Sequence, residues 1–200
     1  MQSQSNITPK TLSQNHTDEG VGKEALIYTK RFSDSQERSR EIVWKVLVEK
    51  FFSKYVKQSD VVLDIGAGDG LFLKNCKARK RIAVDMSDHV QELKKHDIEV
   101  HQVLASEFAT VVTEAPDVIV MSNFLEHLPN KKILLDVFTE CFNALKPGGR
   151  VLILQPNIRY VGSAYWDYID HHIALTEFSL QEGLEITGFK IKTFIPQFLP

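Results

Sequence analysis

The feature that most constrains the fold is a glycine-rich turn between a short apolar run and a helical pattern. Residues 61–65 are Val-Val-Leu-Asp-Ile, and residues 66–70 are Gly-Ala-Gly-Asp-Gly. Glycine adopts positive φ values and lets the backbone approach a ligand, and the following helix offers free N–H groups. The segment therefore predicts a nucleoside-bearing ligand lying across the carboxyl ends of a parallel sheet. The alternative is a tight turn that binds nothing.

A carboxylate at the end of the next predicted strand favours the ligand-binding interpretation. Asp85 lies 19 residues beyond Gly66, and in a βαβ unit this spacing places a carboxylate beside the glycine turn. An ionised Asp85 can accept hydrogen bonds from both hydroxyls of a ribose. The alternative role of Asp85 is to cap the helix that follows it.

The spacing of the glycines argues against two nucleotide-binding families. A dinucleotide-binding turn has glycine at its first, third and sixth positions, whereas Leu71 occupies the sixth position here. The Gly-Lys-Ser or Gly-Lys-Thr sequence of the Walker phosphate loop does not follow either. NAD and FAD are therefore disfavoured, and a nucleoside without a pyrophosphate is favoured.

Short apolar runs alternate with helical patterns from residue 59 onwards, which is typical of a doubly wound α/β fold with a parallel sheet. Strands are predicted at residues 61–65, 81–85, 99–103, 117–121, 150–155 and 189–195. A helix between the last two strands is predicted to begin at Ser179, because Ser179 and Glu182 have capping-box spacing, and to end before Gly188.

The chain divides into three regions by its texture. Residues 1–22 are polar and lack periodic apolar positions, which predicts a disordered tail. Residues 23–58 are predicted to form a helical cap, and residues 59–200 the ligand-binding domain. In the cap, apolar residues recur every four positions at Val43, Leu47, Phe51 and Tyr55, with Trp44 and Val48 beside them on a broad apolar face.

The composition narrows the partners and the compartment. The 24 basic and 26 acidic residues nearly balance, so the chain lacks the positive field of many nucleic-acid and membrane-binding proteins. The two cysteines, Cys76 and Cys141, cannot build a disulfide framework or a cysteine-rich zinc site. No signal pattern or membrane-spanning run is found, so a cytoplasmic protein is predicted.

Four segments resemble those of the class I S-adenosylmethionine-dependent methyltransferases. They occur in the order expected for that family, at residues 62–70, 84–87, 117–128 and 145–153. The similarity covers about residues 24–200 and is greatest to a subgroup of bacterial small-molecule methyltransferases. The resemblance implies a Rossmann-like, mainly parallel sheet, with helices on both faces, that holds S-adenosylmethionine over its carboxyl edge.

The resemblance also implies which residues contact the cofactor. The glycine turn would approach its amino-acid portion and ribose, with Asp64 supporting the amino group and Asp85 binding the ribose hydroxyls. Phe124 and Leu125 would lie beside the reacting methyl group. The full set of implied cofactor-binding residues is Asp64, Gly66, Ala67, Gly68, Gly70, Asp85, Met86, Ala105, Ser106, Ser122 and Asn123.

The sequence departs from the family pattern at two places. Leu104 stands where the family has an acid beside the adenine, so Ala105 or Ser106 is the expected adenine contact. The last, antiparallel strand of the family has no counterpart before Pro200. An exposed sheet edge would then favour pairing, and a homodimer is predicted.

Candidate catalytic residues lie in the aromatic and acidic segment 165–172 and after the fourth strand. A hydroxyl acceptor must lose its proton, for which His171, His172 and His127 are the candidate bases, in that order. The alternatives are a structural hydrogen bond for His127 and an aromatic lid with an Asp170–histidine pair. No metal site is predicted, because the adjacent histidines project differently and Asp170 is the only further ligand.

The N-terminal segment adds one candidate contact. Residues 28–32 resemble the subgroup in which this cap closes over the cofactor, and the resemblance implies that Arg31 meets the cofactor carboxylate. Arg38 and Arg40 are predicted to be solvated charges on a helix face.

The predicted function is methyl transfer from S-adenosylmethionine to a small-molecule nucleophile, with a saccharide-like hydroxyl favoured and a quinone-type ring as the second choice. The main alternative is a catalytically inactive, S-adenosylmethionine-binding regulatory subunit. A nicotinamide-dependent oxidoreductase is disfavoured by Leu71, and an RNA methyltransferase by the lack of a basic, aromatic face.

Overall fold

A five-stranded parallel sheet forms the centre of residues 34–198, the part of the chain that this computed structural model describes. The strands are β1 (Val61–Ile65), β2 (Lys80–Asp85), β3 (Glu99–Gln102), β4 (Val118–Ser122) and β5 (Arg150–Leu154). Their order across the sheet is β3-β2-β1-β4-β5, and every neighbouring pair is parallel. The order reverses between β1 and β4, the place where open parallel sheets bind ligands. The predicted doubly wound α/β fold is confirmed.

Helices connect the strands. The α-helices within residues 34–198 are α1 (Asp34–Lys50), α2 (Leu71–Asn75), α3 (Phe108–Val111), α4 (Lys131–Ala144) and α5 (Glu177–Ile186). Short 3₁₀ helices cover Phe52–Lys54, Asp88–His96, Leu125–His127 and Ser163–Asp167. None of the helices in this part of the chain has the length and apolar character needed to cross a membrane.

The central strand β1 is covered on both faces. Val61, Leu63 and Ile65 belong to a hydrophobic cluster with residues of α4 and α5. Val62 belongs to a second cluster, with residues of α1 and α2. Successive side chains of a strand point to opposite faces, so the two clusters lie on opposite sides of the sheet. Helices on both faces, as predicted, are therefore confirmed.

The N-terminal helix packs through a narrower apolar face than predicted. Trp44 on α1 lies with its ring centroid 6.3 Å from that of Phe52, whereas Val43 is 48% exposed. The prediction that Val43 shares the buried face is therefore wrong, because α1 contacts the domain through the neighbouring row of side chains. Residues 1–33, which include the predicted tail and the start of the predicted cap, lie outside the described residues.

The predicted sixth strand at residues 189–195 does not form. After α5 the chain turns at Gly188, where φ is +102°, and residues 189–195 have no strand pairing. Side chains hold this segment in place: the Phe189 ring packs against that of Phe142 at 5.3 Å. The Asn157 amide donates to the backbone oxygen of Pro196 at 3.1 Å. Phe189 and Ile191 thus pack on the helical layer, whereas Phe194 and Ile195 are exposed.

The last helix begins slightly earlier than its predicted start. Thr176 is the N-cap of α5, and its hydroxyl accepts a hydrogen bond from the backbone N–H of Ser179 at 3.1 Å. The Ser179 hydroxyl lies 2.9 Å from the backbone nitrogen of Thr176, which completes a capping box. Ser179 therefore occupies the third position of the helix.

Candidate cofactor and acceptor site

The glycine turn after β1 has a backbone that side chains would obstruct. The φ angles of Gly66, Gly68 and Gly70 are +74°, +52° and +69°. A Cβ atom on Gly66 would overlap the ring of Phe124, and one on Gly70 would overlap the side chain of Leu93. Glycine is therefore needed at residues 66 and 70, because Phe124 and Leu93 fill the space that a side chain would take and because the backbone has positive φ angles there.

Asp85 at the end of β2 contacts the glycine turn directly. Its Oδ2 accepts a hydrogen bond from the backbone N–H of Gly68 at 2.8 Å. Its Oδ1 accepts from the backbone N–H of Ser87 at 2.8 Å and from the Ser87 hydroxyl at 2.7 Å. Each carboxylate oxygen has two lone pairs, so Oδ2 keeps an acceptor position. Met86, another predicted contact, is half-buried directly after it.

Asp64 is a buried acid beneath the turn. It is 2% exposed, and its Oδ1 has no hydrogen-bond partner. Burial, reinforced by the charges of Asp85 and Asp69, raises the pKa of the Asp64 carboxyl well above its usual value. A buried polar atom without a partner is costly, so this position fits a ligand that brings a hydrogen-bond donor. Ala67, in the turn itself, is also buried.

An ion pair joins the N-terminal helix to the glycine turn. Nη2 of Arg40 lies 3.0 Å from Oδ2 of Asp69, and both side chains are only partly exposed. The prediction that Arg40 is a solvated charge is therefore wrong, because the packing of α1 brings it to the turn. Arg38 is exposed on the same helix, as predicted. Arg31, predicted to meet the cofactor carboxylate, lies outside the described residues.

The end of β4 faces the same crevice. Ser122 is half-buried and Asn123 is exposed, with a φ of +45° that residues other than glycine rarely adopt. The backbone N–H of Asn123 donates to the oxygen of Leu154 at 2.8 Å, which fixes this turn to the end of β5. The chain then places the ring of Phe124 over Gly66.

The predicted adenine loop follows β3. Ala105 is half-buried and packs against the core cluster shared by β1 and α4. Ser106 is exposed, and so is Leu104, which stands at the family's acidic position. Phe108 is fully buried in the core.

The structure brings two of the three candidate catalytic histidines together. The ring centroids of His127 and His171 are 4.9 Å apart, with the ring planes at 74°. Nδ1 of His127 lies 3.0 Å from the backbone oxygen of Asp170 and 3.3 Å from its Oδ2. Nδ1 of His171 lies 2.6 Å from the backbone oxygen of Tyr165. His172 is exposed and contributes only its backbone N–H, which donates to the oxygen of Glu126 at 2.7 Å.

Glu126 is the functional candidate that the sequence did not reveal. It has no exposed surface, and its carboxylate accepts hydrogen bonds from the Tyr165 hydroxyl and, at 3.0 Å, from the amide of Gln155. Its backbone oxygen also accepts from Ile173 at 3.1 Å. Glu126 thus fixes the loop after β5 to the end of β4. The available signal in the sequence was an acid placed between two leucines, Leu125 and Leu128.

Aromatic rings surround His171. Its ring centroid lies 4.5 Å from that of Tyr165, 5.4 Å from that of Tyr168 and 6.0 Å from that of Trp166. Burial and the neighbouring His127 lower the pKa of His171, against the opposing effect of nearby oxygen atoms.

Two buried polar atoms lie in the same region without a hydrogen-bond partner. They are Nε1 of Trp166, beside His171, and Oε1 of Gln155, whose amide nitrogen binds Glu126. One is a donor and the other an acceptor. A polar molecule that both donates and accepts hydrogen bonds would suit this part of the site.

Residues 36–193 match the sequence model of a family described as a methyltransferase domain. The chain belongs to this methyltransferase family. The match covers most of the chain, including β1 to β5 and both parts of the site. A comparison with curated proteins finds no significant match.

Solved structures share the fold of this methyltransferase. A SAM-dependent methyltransferase from Archaeoglobus fulgidus is 23% identical, covers 84% of this chain and 74% of its own, and has a TM-score of 0.66. The N-methyltransferase NodS from Bradyrhizobium japonicum WM9 is 18% identical, with coverages of 77% and 83% and a TM-score of 0.53. An O-methyltransferase family protein from Burkholderia thailandensis is 14% identical, with coverages of 80% and 56% and a TM-score of 0.57.

These comparisons confirm the predicted resemblance to class I S-adenosylmethionine-dependent methyltransferases. The sequence matches the family model, and the chain has a Rossmann-like methyltransferase fold. Family membership supports S-adenosylmethionine as the cofactor of this methyltransferase, and the glycine cradle and the unpartnered Asp64 oxygen fit such a ligand.

Proposed function

We propose that this methyltransferase moves a methyl group from S-adenosylmethionine to a hydroxyl oxygen of a small, ring-bearing acceptor. The observation that carries the proposal is the His127–His171 pair. His127 lies four residues beyond Asn123, after β4, and the loop after β5 brings His171 against it at the carboxyl edge of the sheet. A hydroxyl acceptor must lose a proton during transfer, and a paired, partly buried imidazole is suited to accept it.

One set of residues would hold the cofactor. The free acceptor position on Oδ2 of Asp85 would bind one ribose hydroxyl, and not both as the sequence predicted, because Ser87 already occupies Oδ1. Asp64 would accept from the amino group. When bound, S-adenosylmethionine supplies a methyl group on a positively charged sulfur, already activated for transfer. The remaining contacts would come from the glycine turn, the end of β4 and the loop after β3, namely Gly66, Ala67, Gly68, Gly70, Met86, Ala105, Ser106, Ser122 and Asn123.

The histidine pair would serve the acceptor. In both His127 and His171, Nδ1 faces a backbone carbonyl oxygen, which favours a proton on Nδ1 and leaves Nε2 to face the acceptor. The lowered pKa of His171 keeps its ring neutral near pH 7, which is the form that accepts a proton. His172 is exposed, so we assign the proton transfer to His171 and His127 instead.

The surroundings favour a saccharide-like acceptor. The aromatic faces of Tyr165, Trp166 and Tyr168 can pack against a ring. The donor Nε1 of Trp166 lacks an acceptor, and the acceptor Oε1 of Gln155 lacks a donor. A ring with several hydroxyl groups offers both. The cytoplasmic location, the absence of nucleic-acid partners and the homodimer remain predictions from the sequence.

The first test concerns the cofactor. Calorimetry is expected to show S-adenosylmethionine binding to the native chain, and Asp85→Asn is expected to weaken it about 10- to 100-fold, because a charge-assisted acceptor is lost. Asp88→Asn is the matched control, since Asp88 is exposed and accepts instead from Gln102 at 2.6 Å. Undetectable binding to the native chain would overturn the proposal.

The second test concerns the acceptor. Methyl transfer is measured over a panel of saccharides, quinone-type rings and amines, with the His127→Ala, His171→Ala and His172→Ala variants. We expect turnover of a hydroxylated ring that falls about 100-fold or more in the first two variants and persists in the third. Tight cofactor binding without any turnover would favour the inactive regulatory subunit, and transfer only to amines would overturn the hydroxyl assignment.

A further inference from the structure

Three side chains on the acceptor side of the site have the composition of a metal centre. Glu126, His127 and His171 each offer one ligand atom, and these atoms lie within 4.8 Å of one another. Three atoms that are no more than 4.8 Å apart fit inside a circle whose radius is 4.8 Å divided by the square root of three, which is about 2.8 Å. One ion at the centre of that circle would be within about 2.8 Å of all three atoms. Nitrogen and oxygen atoms bind Zn²⁺ at about 2.0–2.2 Å, so movements of roughly 0.6–0.8 Å per side chain would complete the contacts.

A backbone oxygen orients each of the two histidine rings, as is common for histidines that bind metals. Nδ1 of His127 faces the backbone oxygen of Asp170 at 3.0 Å, and Nδ1 of His171 faces that of Tyr165 at 2.6 Å. Because these contacts engage Nδ1 of each ring, Nε2 is the nitrogen that we assign to the metal. Metal-binding histidines characteristically donate their second nitrogen to a carbonyl or carboxylate oxygen.

Glu126 supplies a buried carboxyl group. It has no exposed surface, and no lysine or arginine among the described residues forms an ion pair with it. Its two oxygens accept hydrogen bonds from Tyr165 and Gln155, and each oxygen retains a second lone pair. Buried charges in proteins are paired or bind metals, and carboxylate ligands are commonly oriented by such hydrogen bonds.

We propose that Glu126, His127 and His171 bind one divalent transition-metal ion at the acceptor side of the site. Two imidazoles and one carboxylate suit Zn²⁺, Fe²⁺, Co²⁺ or Mn²⁺ better than Mg²⁺ or Ca²⁺, which prefer oxygen ligands. From the sequence no metal site was predicted, because His171 was considered only together with His172 and Asp170. Folding replaces the exposed His172 with His127 and adds Glu126, which lies 45 residues before His171.

The chemical role of the ion rests on the proposed function. Three protein ligands leave a coordination position for an acceptor hydroxyl, and a bound cation lowers the pKa of that hydroxyl. The hydroxyl releases its proton to water, and its oxygen then forms the bond to the methyl carbon. The bond between this carbon and the sulfur breaks, and the electron pair stays on the sulfur of S-adenosylhomocysteine. The two histidines act in this case as ligands instead of bases.

Metal binding is tested first without the cofactor. The purified chain is stripped with EDTA, dialysed and titrated with Co²⁺, whose visible absorption reports nitrogen and oxygen ligands, and with Zn²⁺ by calorimetry. We expect one ion per chain. His127→Ala, His171→Ala and Glu126→Gln are expected to weaken binding about 100-fold or more, whereas His172→Ala, the matched control from the same loop, is expected to bind as the native chain does.

Folding and function are separated in the same experiment. Circular dichroism identifies any variant that fails to fold, in which case His127→Gln and His171→Gln replace the alanine variants. The absence of binding to the native chain, or equal binding by all variants, overturns the inference. Undiminished methyl transfer in EDTA also overturns it while leaving the proposed function intact. A bound metal with no S-adenosylmethionine binding contradicts the proposed function and supports the metal site alone.

Discussion

Gly66 and Phe124 meet where the carboxyl ends of β1 and β4 come together. The backbone N–H of Gly66 donates to the oxygen of Val84 at 2.9 Å, so the turn is also tied to β2. The Phe124 ring fills the space that a side chain at residue 66 would need. The shape of the glycine turn therefore depends on the absence of a side chain at Gly66 and on the Phe124 ring that fills the space instead.

Replacing Gly66 with alanine is expected to damage both stability and cofactor binding. The added Cβ would overlap Phe124, and such overpacking costs about 1–3 kcal/mol. Gly148→Ala is the matched control, because Gly148 also has a positive φ, +80°, but has no atom within 4 Å of a Cβ. Urea unfolding and calorimetry with S-adenosylmethionine would measure the difference between the variants. Equal loss of stability in both would show that backbone strain, and not Phe124, determines the effect.

The sequence predicts the positions of some site residues better than those of others. The contact between Asp85 and Gly68 follows from the geometry of one βαβ unit, so local spacing was sufficient to predict their proximity. The burial of Glu126 depends on a loop that returns about 40 residues later, and no local pattern encodes that return. Spacing also could not show which of the adjacent histidines, His171 or His172, faces inward.

At the scale of elements, the apolar pattern predicted the five strands of the sheet, whereas the sixth predicted strand does not form. The strand predicted at 189–195 was wrong: Phe189 and Ile191 pack on the cluster that contains residues of α4 and α5, the other apolar residues of the segment are exposed, and no ladder forms. Helix α1 was predicted correctly, but the contact that it makes with the glycine turn through Arg40 was not. Periodicity indicates which face of a helix is apolar, and it carries no information on what the charged side chains outside that face contact.

The ion pair between Arg40 and Asp69 is expected to contribute modestly to the docking of α1. Both side chains are partly exposed, so Arg40→Met should lower the free energy of unfolding by less than about 1 kcal/mol, and raising the salt concentration should reduce this difference. Arg38→Met, from the exposed face of the same helix, should have no effect. Urea unfolding at low and high NaCl would measure this. A salt-independent loss would indicate that Arg40 acts through packing.

Across the whole molecule, Asp117 links segments from three parts of the chain. Its Oδ2 accepts from the backbone N–H of Val61 at 2.8 Å and from Nζ of Lys146 at 2.7 Å. Its backbone oxygen accepts from Arg150 at 3.1 Å. The starts of β1, β4 and β5 are therefore held together at the edge of the sheet opposite the site, which leaves the carboxyl edge for ligands.

The contribution of Asp117 to stability is expected to depend on pH. The Lys146 ammonium, followed by the Val61 N–H, lowers the pKa of the Asp117 carboxyl in the folded chain. A lowered folded-state pKa stabilises the fold above the unfolded value of about 3.9, and this stabilisation is lost as the pH falls through the folded-state pKa. Asp117→Asn should therefore lower the free energy of unfolding by about 0.5–1 kcal/mol at pH 7, since the pair is about one-third exposed.

Urea unfolding at several pH values between about 3 and 7 would measure this dependence. The difference between the native chain and Asp117→Asn should narrow towards pH 3, because protonation removes the same charge from the native protein. Asp136→Asn is the matched control: its partner Lys132 is 81% exposed, so the loss at pH 7 should be smaller. A difference for Asp117→Asn that stays constant with pH would mean that the lost hydrogen-bond geometry, and not the charge, links these three strands.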